Sequence, residues 1–144
     1  MDAEPLDAAD RTLVEAAREV IRRAYREERH TVGAAVRTTT GEVFTGVNID
    51  TCGYGPCAEP IAIGAAVAAG HPDVACLVAV SGRTGDLPVL APCGNCRQLL
   101  ADYAPDARVI LPGESGPAKV RAAALLPHAY QAFRNCTGAS RPRA

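Results

Sequence analysis

Three cysteines and one glutamate carry the most visible chemistry in this chain of 144 residues. Cys57 is followed two positions on by Glu59, and Cys93 and Cys96 stand in Pro92-Cys93-Gly94-Asn95-Cys96. A Cys-x-x-Cys pair alone fits a redox dithiol, half of a structural zinc site or two ordinary thiols. The third cysteine and the glutamate narrow that choice. Each segment opens a helical pattern, so all three sulfurs can sit near helix N-termini, whose partial positive charge favours thiolates. Three thiolates give a tetrahedral zinc three protein ligands and leave the fourth position for water, the pattern of a catalytic site. A structural site would close with a fourth ligand, and Cys52, Cys76 and Cys136 are available. Cys76 lies in an apolar run and reads as a small core residue. Cys52, in a loop, is the stronger competitor.

The elements that must position these groups follow from periodicity. From about Asp7 to Arg29, residues Leu13, Ala17, Val20 and Ala24 recur at steps of three and four, with Val14 and Ile21 beside them. That spacing predicts an amphipathic helix. Its charges Arg22, Arg23, Arg26, Glu27, Glu28 and Arg29 mix signs and read as a solvated face rather than a site for an anionic partner. Val32 to Thr38 and Glu42 to Asn48 predict a hairpin around Thr39-Thr40-Gly41, and Asn48 to Pro56 a loop. Cys57 to Ala69 predicts a helix closed by Gly70, with Pro60 tolerated in its first turn. Val74 to Val80 reads as a strand buried on both faces, Cys93 to Tyr103 as a helix and Arg108 to Leu111 as a strand. Helices alternating with strands here imply parallel pairing. Ala118 to Phe133 should hold a last short strand or helix leading into Leu125-Leu126-Pro127, and the tail from about Asn135 should be mobile.

Composition excludes several classes. With 48% hydrophobic and 22% charged residues the chain is globular, and its length suits a single domain over residues 1–144. Fifteen basic against sixteen acidic residues give a net charge of −1, which argues against a nucleic-acid or membrane-surface binder. The start Met-Asp-Ala-Glu-Pro is acidic, unlike a signal peptide, and the apolar run Ile61–Gly70 is about half the length that spans a bilayer. The expectation is a cytoplasmic protein, in which the six cysteines serve metal ligation or catalysis rather than a disulfide frame.

Cys57-Ala58-Glu59 followed by Pro92-Cys93-x-x-Cys96-Arg97-Gln98 resembles the cytidine deaminase superfamily, in its three-cysteine zinc form. The likeness runs from about residue 10 to residue 133. Val32-Gly33-Ala34-Ala35-Val36, Gly46-Val47-Asn48-Ile49-Asp50 and Leu125-Leu126-Pro127 stand where the small tetrameric cytidine deaminases carry similar runs. Some positions depart from that pattern. Pro60 replaces an arginine, Asp50 a glutamate and His30 an aromatic. The segment from Asn48 to Cys57 is short, and Gly55-Pro56-Cys57-Ala58-Glu59 and Leu125-Leu126-Pro127-His128-Ala129-Tyr130 look more like blasticidin S deaminase. Pro88-Val89 is nearer the ordinary nucleoside enzymes.

The resemblance implies an α/β fold, a three-layer α/β/α sandwich around a mixed five-stranded sheet, with the first hairpin antiparallel and the later strands parallel. It implies hydrolytic deamination of a cytosine nucleoside, cytidine or deoxycytidine, in pyrimidine salvage, by a zinc-dependent homotetramer. Cys57, Cys93 and Cys96 would hold Zn²⁺. Glu59 would take a proton from water and deliver it to the ring nitrogen and the departing amine; otherwise it complements a helix N-terminus. Asn48 and Asp50 would hold a ribose hydroxyl, or else organise the loop by Asx-type hydrogen bonds. Ala58 would line the substrate site. His30 would face the base or complement a helix C-terminus, and Tyr130 would stack on a base across a subunit boundary or be buried in its own core. Three thiolates and Zn²⁺ sum to −1, and helix N–H groups and Arg97 are the groups available to offset that charge, unless Arg97 is an ordinary surface residue. Three other readings remain: deamination of a modified cytosine nucleoside such as blasticidin S, a non-catalytic structural zinc module with a fourth protein ligand, and a redox Cys93–Cys96 pair, which would leave Cys57 and Glu59 unexplained.

Overall fold

The computed structural model describes residues 2–130. Its elements are β1 (Glu4–Pro5), α1 (Ala8–Ala24), β2 (Val32–Thr38), β3 (Val43–Val47), α2 (Ala58–Ala68), β4 (Val74–Ser81), β5 (Val89–Leu90), α3 (Gly94–Tyr103), β6 (Arg108–Leu111) and β7 (Ala118–Arg121), then a 3₁₀ turn over Ala122–Leu125. The strands form one mixed sheet in the order β1-β7-β6-β4-β2-β3, with β5 paired to β4. Five strands of four to eight residues make its body, and the two-residue β1 and β5 are additions at β7 and β4. The β2–β3 hairpin is antiparallel, and β4 pairs β6 in parallel across the α3 connection. The last strand departs from the expected parallel pairing: β7 runs antiparallel to β6, because the short connection from Leu111 to Ala118 leaves no crossover helix between them.

Two apolar clusters lie on opposite faces of the sheet. Leu13, Val14, Ala17 and Ile21 of α1 pack on Ala35, Val78 and Ile110. Ala62, Ile63 and Ala66 of α2 and Leu100 of α3 pack on Ala34, Leu77 and Val109. Alternating residues of one strand thus serve opposite layers, which makes the sandwich. Two glycines permit the close approach. A Cβ at Gly33 would meet Ala17 O of α1 at 2.6 Å, and one at Gly46 would meet Ala62 N of α2 at 2.6 Å.

Helix α1 starts with a reciprocal capping box between Asp7 and Asp10. It ends at Ala24, short of the expected Arg29. The positions due to continue its buried stripe are occupied by Tyr25 and Glu28, so nothing drives the next turn onto the sheet. Instead Arg26 and His30 pair as a β-bridge, with Glu28 in the left-handed region at φ 61°. His30 therefore precedes β2 and does not complement a helix C-terminus. The buried stripe is Asp10, Leu13, Val14, Ala17 and Ile21, with Val20 and Ala24 half-buried at its edge. Phe133, Cys136 and the tail from about Asn135, expected to be mobile, lie outside the described residues.

Candidate functional site

Both site helices begin on the same chemistry. Cys57 is the N-cap of α2 (φ −67°, ψ 166°) and Cys93 the N-cap of α3 (φ −69°, ψ 171°). Strands β3 and β4 point the same way, since each is antiparallel to the β2 between them. Helix α2 follows β3 directly, and α3 follows β4 through β5, which folds back along β4; the two helix N-termini, with their open backbone N–H groups, meet at the cysteines. Cys96, in the first turn of α3, is buried. The three Sγ atoms lie within 4.8 Å of one another, and those of Cys57 and Cys93 are 3.6 Å apart.

The three thiols pull one another in different directions. Burial pushes Cys57 up, and the neighbouring Cys93 adds to it. Burial also pushes Cys96 up, with the negative groups at Glu59 and Cys57 acting the same way. Cys93 is held below its ordinary value: burial raises it, but the backbone N–H of Cys96, the thiols of Cys57 and Cys96 and the N–H of Asn95 outweigh that. Adjacent thiols cannot all ionise without a cation, and a divalent ion between them removes the conflict. The donor set therefore fits zinc, with three sulfurs and an open fourth position. Among the described residues no other cysteine joins the group. Cys52 is exposed in the loop, and Cys76 is buried in the α1-facing cluster beside Asp10.

A cavity of about 230 Å³ opens over Cys57 and Cys93, lined also by Ala58, Glu59, Asn48 and Asp50. Glu59 is only 5% exposed. Burial raises its pKa by more than its own backbone N–H and the Cys96 thiol lower it, so the carboxyl can carry a proton nearer neutral pH than usual. Asn48 lines the same cavity with its Oδ1 engaged, accepting from the N–H groups of Thr31 at 2.7 Å and Val32 at 3.0 Å. Asp50 is exposed at the rim. Its backbone is fixed by its N–H to Arg29 O at 2.9 Å and by Arg29 Nη1 to its carbonyl at 3.1 Å.

The other sequence-derived residues stand further back. The Nδ1 of His30 is 2.8 Å from Asn48 O, and because a carbonyl can only accept, Nδ1 bears the hydrogen. His30 thus braces the wall from behind rather than lining the cavity. Tyr130 is 75% exposed, so it is not buried in this chain's core, and its carbonyl accepts from Gln98 Nε2 at 3.2 Å. Arg97 bonds two carbonyls, Pro92 O at 2.8 Å and Leu125 O at 3.4 Å, and no sulfur. The cavity also takes in Val32, Ile49, Pro56, Ala79 and Leu90, which sequence reasoning did not single out. Ile49, Pro56 and Leu90 lie within three residues of Asn48, Cys57 or Cys93, whereas Val32 and Ala79 enter only through the β2–β4 pairing, which sequence adjacency does not display.

Residues 7–111 match the family model described as the cytidine and deoxycytidylate deaminase zinc-binding region. A blasticidin-S deaminase of Bacillus cereus is 41% identical over 128 residues, covering 84% of this chain and 91% of that protein. A cytidine deaminase of Halalkalibacterium halodurans is 36% identical over 108 residues, covering 72% of this chain and 80% of that one. Among solved structures, the cytidine deaminase from Burkholderia pseudomallei superposes with a TM-score of 0.69 at 33% identity, over 83% of this chain and 98% of that one. The cytidine deaminase from Mycobacterium tuberculosis gives 0.71 at 30% identity, over 87% and 99%. No helix among the described residues is long and apolar enough to cross a membrane.

Proposed function

The chain belongs to the cytidine and deoxycytidylate deaminase family of hydrolytic enzymes, and on that premise we propose that it converts a cytosine nucleoside to the uracil nucleoside and ammonia. One observation carries the reading: a buried carboxyl, Glu59, in the first turn of α2 beside a three-cysteine cluster, at the wall of a nucleoside-sized cavity. Zinc, when bound by Cys57, Cys93 and Cys96, supplies the Lewis acidity that lets water attack near neutral pH. Glu59 takes a proton from that water and passes it to the pyrimidine ring nitrogen. Glu59 then takes the second proton from the oxygen now bonded to the ring carbon and gives it to the exocyclic amine; the carbon–nitrogen bond breaks with its electron pair on nitrogen, ammonia leaves, and the oxygen remains as the ring carbonyl. The buried setting of Glu59 lets one carboxyl both accept and release the proton.

Cytidine or deoxycytidine is the first substrate. Asn48 offers a donor at Nδ2 and Asp50 an acceptor across the same wall, a pair suited to a sugar hydroxyl, while Ala58 contributes a small apolar contact. A second reading, blasticidin S, is favoured by the 41% identity to the Bacillus cereus protein. The enzyme acts in the cytoplasm in nucleoside salvage, as a homotetramer. Support for assembly comes from α2, where Glu59 is the only charged residue although Gly64, Val67 and Ala68 face outward. Tyr130, exposed in one chain, would reach a base only through such contact. Metal analysis with ammonia release from a panel of cytosine nucleosides tests the reading. Bound zinc with no ammonia from any of them would leave the non-catalytic zinc module in its place.

A further inference from the structure

Arg97 follows Cys96 directly, and its side chain folds back over the start of α3. Its Nε donates to Pro92 O at 2.8 Å and its Nη1 to Leu125 O at 3.4 Å. Pro92 is buried and immediately precedes Cys93, whereas Ala91, Cys93, Gly94 and Asn95 are all exposed. The turn that presents Cys93 therefore has little packing of its own; it is fixed by the buried Pro92 ring, by the Pro92 carbonyl and, through the Arg97 N–H at 2.9 Å, by the Cys93 carbonyl where α3 begins. Among the described residues no lysine or arginine hydrogen-bonds to Cys57, Cys93 or Cys96, and the side chain of Arg97 reaches this turn rather than a sulfur.

We propose that Arg97 is a positioning residue of the metal centre: its guanidinium ties Pro92 to the end of the 3₁₀ turn at Leu125 and so presets the Cys93 backbone. This rests on reading the three-cysteine cluster as a zinc centre. Two different nitrogens of the planar guanidinium reach the two carbonyls, whereas lysine carries all its donors on one nitrogen at the end of a flexible stem. Groups that orient ligands without touching the metal typically account for about ten- to a hundred-fold in metal affinity.

The experiment measures zinc affinity by chelator competition, and the thiolate-to-metal absorption of the cobalt form, in wild type, Arg97→Gln and Arg97→Lys. Both variants should bind zinc about ten- to a hundred-fold more weakly. Both should change the cobalt–thiolate band, while the metal-free proteins keep the wild-type circular dichroism. Lysine preserves the charge, so equal weakening in both variants assigns the effect to the fork. Wild-type affinity in Arg97→Gln would overturn the proposal, and so would full rescue by Arg97→Lys, which would show that the guanidinium fork is not required. If the glutamine variant does not fold, the lysine variant against wild type decides by the same criteria. Turnover is not read. A wild-type chain that binds zinc but deaminates no cytosine nucleoside would defeat the proposed function and leave this inference standing, whereas one that binds no zinc would defeat both.

Discussion

The backbone N–H of Thr31 donates to Oδ1 of Asn48 at 2.7 Å, and this one bond decides which end of the Asn48 amide can meet a substrate. With Val32 N–H on the same oxygen, Oδ1 is turned into the protein, and Nδ2 has only a 3.5 Å contact to Thr31 Oγ1. On the proposed function, Asn48 would therefore meet the substrate with its Nδ2 donor. Asn48→Asp keeps an acceptor for both amides, so the melting temperature should change little, yet the KM for cytidine should rise about tenfold or more as the donor becomes an acceptor. Asn48→Ala should in addition lose about 1–3 kcal/mol of stability, because two backbone N–H groups lose their partner. An unchanged KM in the aspartate variant would remove Asn48 from substrate contact.

One zinc per chain should be found, with three sulfurs and one lighter atom around it by X-ray absorption. Cys52 is exposed and outside the cluster, so Cys52→Ser should leave zinc content unchanged. Four sulfurs, or loss of zinc in that variant, would point to a closed structural site.

Glu59→Gln should retain metal and fold while turnover falls by at least about 10²–10⁴-fold, the usual range for one general acid–base step. The amide is nearly isosteric and still fills its 5%-exposed position, so stability is not the readout. A variant keeping a tenth of the wild-type rate would show that the proton travels by another group.

The metal cluster was legible because each cysteine stands where a helical pattern begins, and a helix start fixes a side chain's position through the sheet edge it follows. Asn48 was legible as a polar group on an extended segment, but its hydrogen-bond partners were not, because Thr31 and Val32 meet it only when β2 and β3 pair. Arg97 raised an expectation of charge compensation that its two carbonyl partners redirect, since sequence gives adjacency to Cys96 and not the path of a long flexible side chain. The end of α1 was overrun because helix propensity and mixed charge persist to Arg29 while burial stops with Ile21. The β7 direction depended on a connection too short to cross the sheet, which a strand pattern does not display.

Asp10 offers a stability test independent of the site. It is fully buried within the α1 stripe, and its pKa is lowered to about 2. Burial itself pushes it up, but Lys119 Nζ at 2.7 Å, the N–H of Asp7 and Arg37 at 3.0 Å outweigh that. A folded-state pKa below the ordinary 3.8 means the stabilisation is complete above about pH 4 and is lost as pH falls toward 2. The lowering corresponds to about 2 kcal/mol. Urea unfolding of metal-free protein between pH 5 and pH 2 should show that loss, and Asp10→Asn should show correspondingly less of it. Identical pH dependence in the two proteins would mean that Lys119 and Arg37 do not hold the carboxylate ionised.

Asp50 separates the two substrate readings. Its backbone is pinned to Arg29 in both directions, so the carboxylate stands at the rim on a fixed base rather than on a free loop. If that carboxylate receives a ribose hydroxyl, losing the bond to a charged acceptor removes about 1–3 kcal/mol of binding. Asp50→Ala should then raise the KM for cytidine about tenfold or more with a smaller change in kcat, the mark of an interaction made equally in ground and transition states. On the proposed reaction the ring lies beside Glu59 and Cys57, so the cytosine requirement should survive the substitution. The same variant assayed with blasticidin S supplies the contrast, because a modified sugar need not present its hydroxyl to position 50. If Asp50→Ala leaves cytidine kinetics untouched while the wild-type enzyme turns over blasticidin S efficiently, the salvage reading fails and the antibiotic-directed one replaces it.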